Sequence, residues 1–133
     1  MYLVDTNVLS EARRGSNKAR IWLRSVDPTT IFLSVVTLGE IMKGIALKRR
    51  TDTRTAMSLT VWLEQLRGDY SDRILPISDS VALEWGRLAA ERPRSMADAL
   101  IAAPAAVHDK IIVTRYVDDY ADTRIPVLNP WEG

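Results

Sequence analysis

The chain opens MYLVDTNVLSEA, residues 1–12, and the fold turns on how the first five positions are read. Tyr2-Leu3-Val4 is a short apolar run of the kind found in strands buried on both faces. It ends on Asp5, with Thr6 and Asn7 behind it. A carboxylate at that point has two readings. As the N-cap of a helix starting near Thr6, it accepts backbone N–H groups that have no partner inside the helix. As the tip of a parallel strand, it stands where such sheets present side chains to ligands. The rest of the chain must decide between them.

Working outward, strand-like runs alternate with helical ones. Helices are expected over 7–14 and 17–26, and TTIFLS (29–34) reads as a second strand leading into a helix from Val35 to Arg49. A longer helix over 52–68 carries Met57, Val61 and Leu66 near helical spacing. ILPIS (74–78) is a third strand, and the helix from Asp79 to Glu91 carries Val81, Leu83, Trp85 and Leu88. Ser95 opens the helix MADALIAAPAAVHD, KIIVT (110–114) is a fourth strand, and IPVLN (125–129) a fifth. The alternation predicts an α/β protein, a three-layer α/β/α sandwich around a parallel sheet of about five strands. No repeat, linker or low-complexity segment divides residues 1–133, which are expected to form one domain. Pro104 is discordant. A proline inside a helix removes one backbone bond and costs about 3 kcal/mol, so this helix must bend or carry the break where it is tolerated.

At 133 residues and 47% hydrophobic, the chain is long enough for a core. No stretch approaches the roughly 18 apolar residues of a membrane-spanning helix, and a cytoplasmic location is expected. The absence of cysteine excludes disulfides, thiolate metal sites and a cysteine nucleophile. The net charge of +1 conceals an asymmetry: residues 11–54 hold ten Lys/Arg against four acids, and the remainder eight against thirteen. Such a split suits a basic surface offered to a polyanion, although solvated helix surfaces explain the charges about as well.

Three carboxylates stand out, with a fourth behind them. Asp5 ends the first strand, Glu40 lies in SVVTLGEI after the second, Asp98 lies in SMADALIAA before the fourth, and Asp119 follows the fourth in VTRYVDDY. All fall near strand–helix transitions, so a parallel sheet with its first and fourth strands adjacent would bring them to one edge. Each has a plain structural alternative. Ser95 with Asp98, and Thr37 with Glu40, match capping-box spacing, and Asp119 could belong to a solvated acidic turn with Asp118 and Asp122. Taken together, the shared kind of position favours a common site. Converging carboxylates repel unless a cation compensates, and oxygen-only ligands favour Mg²⁺ or Mn²⁺. The single histidine, His108, reads as a helix-end residue. Phosphate-loop, dinucleotide and nucleophile-elbow motifs are absent from the sequence. Metal-assisted hydrolysis of a phosphodiester is the chemistry these features point to.

The motifs VDTNVLSE, SVVTLGEIMKGI, LPISDSVALEWGRLAA, DALIAA, IIVTR and VLNPW occur in that order along nearly the whole chain. In this arrangement the sequence resembles the PIN-domain ribonucleases, and most closely the VapC-like toxins of bacterial toxin–antitoxin pairs. The resemblance implies a five-stranded parallel sheet with the first strand central. It implies a Mg²⁺- or Mn²⁺-dependent endoribonuclease, homodimeric and silenced by a cognate antitoxin protein. The family's acids carry over onto Asp5, Glu40, Asp98 and Asp119, and Thr114 falls where it would orient a water or phosphate. Two positions depart from the family pattern: Tyr116 replaces an asparagine, and Pro104 stands where a threonine is common.

Lys43, Lys48, Arg49 and Arg50, with Arg13 and Arg14, are expected to contact the RNA backbone, which positions a substrate without reading its sequence. Apolar Ile41, Ile45, Leu59 and Trp62 lie beside them; they either join the core or line a groove for a partner or a second copy. A phosphoacceptor receiver domain is a poor rival, because Asp5 stands alone and the fifth strand ends without a lysine. A catalytically silent PIN-like module that only binds RNA or a partner is the alternative kept open.

Overall fold

The computed structural model describes residues 1–132. Five parallel strands, β1 (Tyr2–Val4), β2 (Ile31–Ser34), β3 (Ile74–Leu75), β4 (Ile111–Val113) and β5 (Val127–Leu128), form one sheet in the order β3-β2-β1-β4-β5. The first strand is central, as expected. It pairs with β2 on one side (Tyr2 opposite Ile31) and with β4 on the other (Tyr2 opposite Ile111, Val4 opposite Val113). The chain therefore leaves β1 in one direction and returns on its other flank, which makes the carboxyl end of β1 the switch point of the sheet.

Six helices cover the two faces: α1 (Thr6–Arg14), α2 (Asn17–Ser25), α3 (Val35–Lys48), α4 (Thr53–Asp69), α5 (Asp79–Glu91) and α6 (Met96–Val107). Side chains alternate across a strand, and here both directions lead into a core. Val4 and Val113 point into a cluster with Val8, Ile41, Ile45 and Leu63, built from α1 to α4. Leu3 and Ile112 point the other way, to Val81, Leu88 and Ile101 of α5 and α6. This two-sided burial is why the strands read as unbroken apolar runs.

Local chemistry sets the helix ends. Ser34, Ser78 and Ser95 each accept a backbone N–H as N-caps, so the chain turns into a helix within a few residues of the preceding strand or loop. Gly15 closes α1 at φ +108°, a conformation that favours glycine, and its N–H returns to Ala12. The third and fifth strands are shorter than the sequence implies. Pro76 follows β3 and Pro126 precedes β5, and neither carries an N–H to extend a ladder.

Two helices turn differently from the expected faces. In α4 the core side is Ala56, Leu63 and Leu66, with Leu59 and Trp62 partly buried against it, whereas Met57 and Val61 are 71% and 59% exposed. The stripe at 56, 59, 63 and 66 follows the helical period more closely than 57, 61 and 66. In α5, Val81 and Leu88 are buried while Leu83 faces out. The helix α6 runs through Pro104, which is itself buried in its last turns and whose carbonyl accepts the His108 N–H at 2.9 Å. His108 is the C-cap of that helix, the helix-end role read from the sequence.

Candidate active site

At the carboxyl end of β1 the backbone N–H of Asp5 donates to the Val113 carbonyl (2.9 Å), which pins the residue between β1 and β4. Both readings of Asp5 are realised at once. Oδ1 accepts the Thr6 N–H (2.8 Å) and caps α1, while Oδ2 accepts the hydroxyls of Thr114 (3.0 Å) and Tyr120 (3.0 Å). Thr114 Oγ1 also accepts from Asn7 Nδ2 and from the Tyr116 N–H, both at 3.1 Å. A hydroxyl has one proton and two lone pairs, so Thr114 is saturated and its proton is committed to Asp5. Asn7 is locked in turn by the Arg115 N–H on its Oδ1 (3.0 Å).

Asp5 borders a cavity of about 320 Å³. The polar side of α1 supplies Thr6, Asn7, Ser10, Glu11 and Arg14; α3 supplies Glu40, α6 supplies Asp98, and the turn after β4 supplies Tyr116 and Asp119. The cavity thus brings together Asp5, Glu40, Asp98 and Asp119, and Asp118 does not border it. Glu40 Oε1 accepts from Thr6 Oγ1 (2.7 Å), which shares a hydrogen bond with Thr37 (3.0 Å). The capping role considered for Thr37 and Glu40 is not used, because α3 is capped three residues earlier by Ser34. Ser95, by contrast, does cap α6 through the Asp98 N–H (3.0 Å).

Burial raises the pKa of Asp5; the donors Tyr120, Thr114 and the Thr6 N–H oppose that rise, and the charge of Glu40 adds to it. Partial burial also raises Asp98, against its Ser95 hydrogen bond, with the charge of Asp119 adding to the rise and Arg92 and Arg94 pulling it down. The Tyr120 phenol lies far above its ordinary pKa, through burial first and then the surrounding carboxylates, so it is a fixed donor. Among the described residues no three acidic or histidine side chains are grouped closely enough to enclose an ion between them. The donor set nonetheless fits a hard divalent cation: it is all oxygen and anionic, with Asp5 and Asp98 raised chiefly by burial and further by the neighbouring acids. Mg²⁺ keeps several waters and is commonly held by only one or two direct carboxylates.

Several sequence expectations shift. Thr114 is fully buried and turned to Asp5, so it holds the carboxylate instead of meeting a water or phosphate. Lys43, Arg49 and Arg50 are exposed but border neither this cavity nor its neighbour, whereas Lys48 borders the neighbour. Ile45 and Ile41 belong to the core, and Ile41 also borders that second cavity with the partly buried Leu59 and Trp62. The sequence reading missed Tyr120, Asn7, Ser10 and Glu11. For the last three a signal existed, since with Arg14 they recur every three or four residues along one side of α1.

A parallel sheet whose switch point opens onto an acid-lined cavity defines a class of α/β/α proteins that bind ligands at the strand tips. A model of the PIN domain family matches residues 2–121, and the chain belongs to that family. It is 30% identical to Toxin FitB of Neisseria gonorrhoeae, an alignment that covers 98% of this chain and 99% of that protein. It is 29% identical to VapC ribonuclease Y4jK of Sinorhizobium fredii over 99% of each. Among solved structures, FitAcB from Neisseria gonorrhoeae superposes with a TM-score of 0.90 at 30% identity over the whole of both chains.

Proposed function

We propose that this chain is a divalent-cation-dependent endoribonuclease and the toxin half of a toxin–antitoxin pair. The observation that carries the reading is the convergence of Asp5, Glu40, Asp98 and Asp119, from four separate segments, on one cavity at the switch point of the sheet. Relatives named a toxin and a VapC ribonuclease, matched over nearly their full length, support it. Complexes such as FitAcB and a toxin–antitoxin complex from Klebsiella pneumoniae, both 30% identical to this chain, support a cognate antitoxin as partner. A homodimer is the expected assembly. No described helix is long and apolar enough to cross a membrane.

In this reading Asp5, Glu40, Asp98 and Asp119 would hold a hydrated Mg²⁺ or Mn²⁺, only one or two of them directly, and the cation when bound would supply Lewis-acid assistance to phosphodiester hydrolysis. The chain's own work is to aim those oxygens. Tyr120 and Thr114 hold Asp5 Oδ2 from the core side, and the Thr6 N–H holds Oδ1. Thr6 Oγ1 holds Glu40, so one residue orients two of the acids. Arg14, paired with Glu11 at 3.1 Å on the rim, offers a cation to the RNA backbone.

The test is cleavage of single-stranded RNA by protein stripped with EDTA, then supplied with Mg²⁺ or Mn²⁺. Cleavage should return with the cation, and Asp5→Asn, Glu40→Gln and Asp98→Asn should each abolish it with the circular dichroism spectrum unchanged. Full activity in the Asp98 variant would reduce that residue to part of a helix cap. Binding of RNA without cleavage under either cation would favour the silent binding module.

A further inference from the structure

The acid-lined cavity continues past Glu40. A second cavity, of about 200 Å³, shares Thr6, Ser10, Arg14 and Glu40 with the first and extends between α1, α3 and α4. Its far part is bounded by Gly44 and Lys48 of α3 and by Leu59 and Trp62 of α4. The Arg13 guanidinium lies 5.5 Å from the centre of the Trp62 ring and donates to Ser58 (2.7 Å), which braces the indole. A Cβ placed on Gly44 would meet no heavy atom within 4 Å beyond its own helix. A glycine in a helix interior weakens the helix, and here it leaves open the space that any side chain would occupy.

The lining is part aromatic and part cationic, with one carboxylate, Glu40, on the wall shared with the acids. A nucleotide makes the same two demands, a π-face to stack on and cations for its phosphate. The four shared wall residues make the two cavities continuous, so a chain laid over the acids leads into this space.

We propose that the cavity between Gly44 and Trp62 is a nucleobase subsite for single-stranded RNA, taking the base next to the phosphate that lies over the acids. Trp62 supplies the stacking face, and Arg14 and Lys48 meet the adjoining backbone. The proposal rests on the ribonuclease reading, but base binding and cleavage are separable by measurement.

The experiment uses fluorescent single-stranded RNA octamers carrying one abasic residue at successive positions, with binding followed by anisotropy in EDTA. In the wild-type protein the abasic residue should weaken binding about fivefold to a hundredfold at one position, the range expected for one stacked base. In Gly44→Leu, which fills the cavity, that penalty should vanish while binding of the intact octamer falls to the level of the abasic one. Trp62→Leu is a second route to the same loss, read if Gly44→Leu lowers the melting temperature. Trp62→Phe should keep a reduced penalty. A uniform penalty at all positions, or the same penalty in wild type and Gly44→Leu, overturns the subsite. So does an unchanged RNA profile in a Gly44→Leu protein that no longer retains a co-expressed small protein partner, since the cavity then serves protein docking. A position-specific penalty without cleavage under Mg²⁺ or Mn²⁺ would uphold the subsite and overturn the ribonuclease reading; cleavage without the penalty would do the reverse.

Discussion

Replacing Tyr120 by phenylalanine removes a single atom from the centre of the site and leaves the ring in place. Tyr120 is buried among Val81, Leu88 and Ile101, so packing is retained, and what is lost is the hydroxyl donated to Asp5 Oδ2 at 3.0 Å. A hydrogen bond to an ionised group contributes about 1.5–3 kcal/mol, and one between neutral groups about 0.5–1.5 kcal/mol. The cost should therefore depend on the charge of Asp5. Its pKa in the folded state is raised above the ordinary 3.8 by burial, so between 3.8 and that raised value the folded chain holds more protons than the unfolded one. Stability consequently falls as pH rises through this window. The Tyr120 bond opposes the rise in pKa; without it the window extends upward and stability goes on falling over a wider range. The variant should be about 1 kcal/mol less stable than wild type below the window, where Asp5 is protonated in both. Above the window the deficit should grow to about 2 kcal/mol, roughly 1 M in the urea midpoint at an m-value near 2 kcal/mol/M. The assay is urea unfolding in EDTA at both pH values. An equal deficit at the two, or a larger one in acid, would refute the claim that Tyr120 serves the ionised carboxylate.

Reversing the charges of Lys48, Arg49 and Arg50 together should weaken RNA binding across unrelated sequences. Each lost phosphate contact should flatten the log–log salt dependence by about 0.7 for a single strand, and unchanged binding in a salt titration would put the RNA on another face. Gly15→Ala should cost about 1 kcal/mol in the same urea assay, because alanine must adopt the φ of +108° that ends α1; an unchanged midpoint would mean that the turn relaxes at no cost.

Much of the architecture is legible in short stretches. The apolar runs at 2–4, 31–34 and 111–113 read as strands with both faces covered, and Ser95 marks a helix start by its chemistry, whereas the caps at Ser34 and Ser78 emerged only in the structure. The carboxylates at 5, 40, 98 and 119 each had a structural alternative when read singly, and only their shared kind of position picked them out together. Other features were out of reach of local reading. In α4 the buried stripe at 56, 59, 63 and 66 does follow the helical period, but Ala56 is a weak apolar signal beside Met57, and the packing of α4 on α3 is what buries it. Tyr120 reads as one more aromatic residue after an acidic turn. It becomes the partner of Asp5, 115 positions away, only because β4 pairs beside β1 and carries the following turn over the strand tip. Thr114, similarly, offers a hydroxyl at the end of a strand, and only the neighbouring Asn7 and Tyr116 N–H groups use up its lone pairs and turn its proton to the carboxylate. Sequence alone determined which segments are strands and helices and which acids stand at their ends, since caps, prolines and apolar spacing act within a few residues. The strand order, and with it the meeting of those acids in one cavity, was decided by tertiary structure, because pairing between distant strands depends on the joint burial of both faces of the sheet.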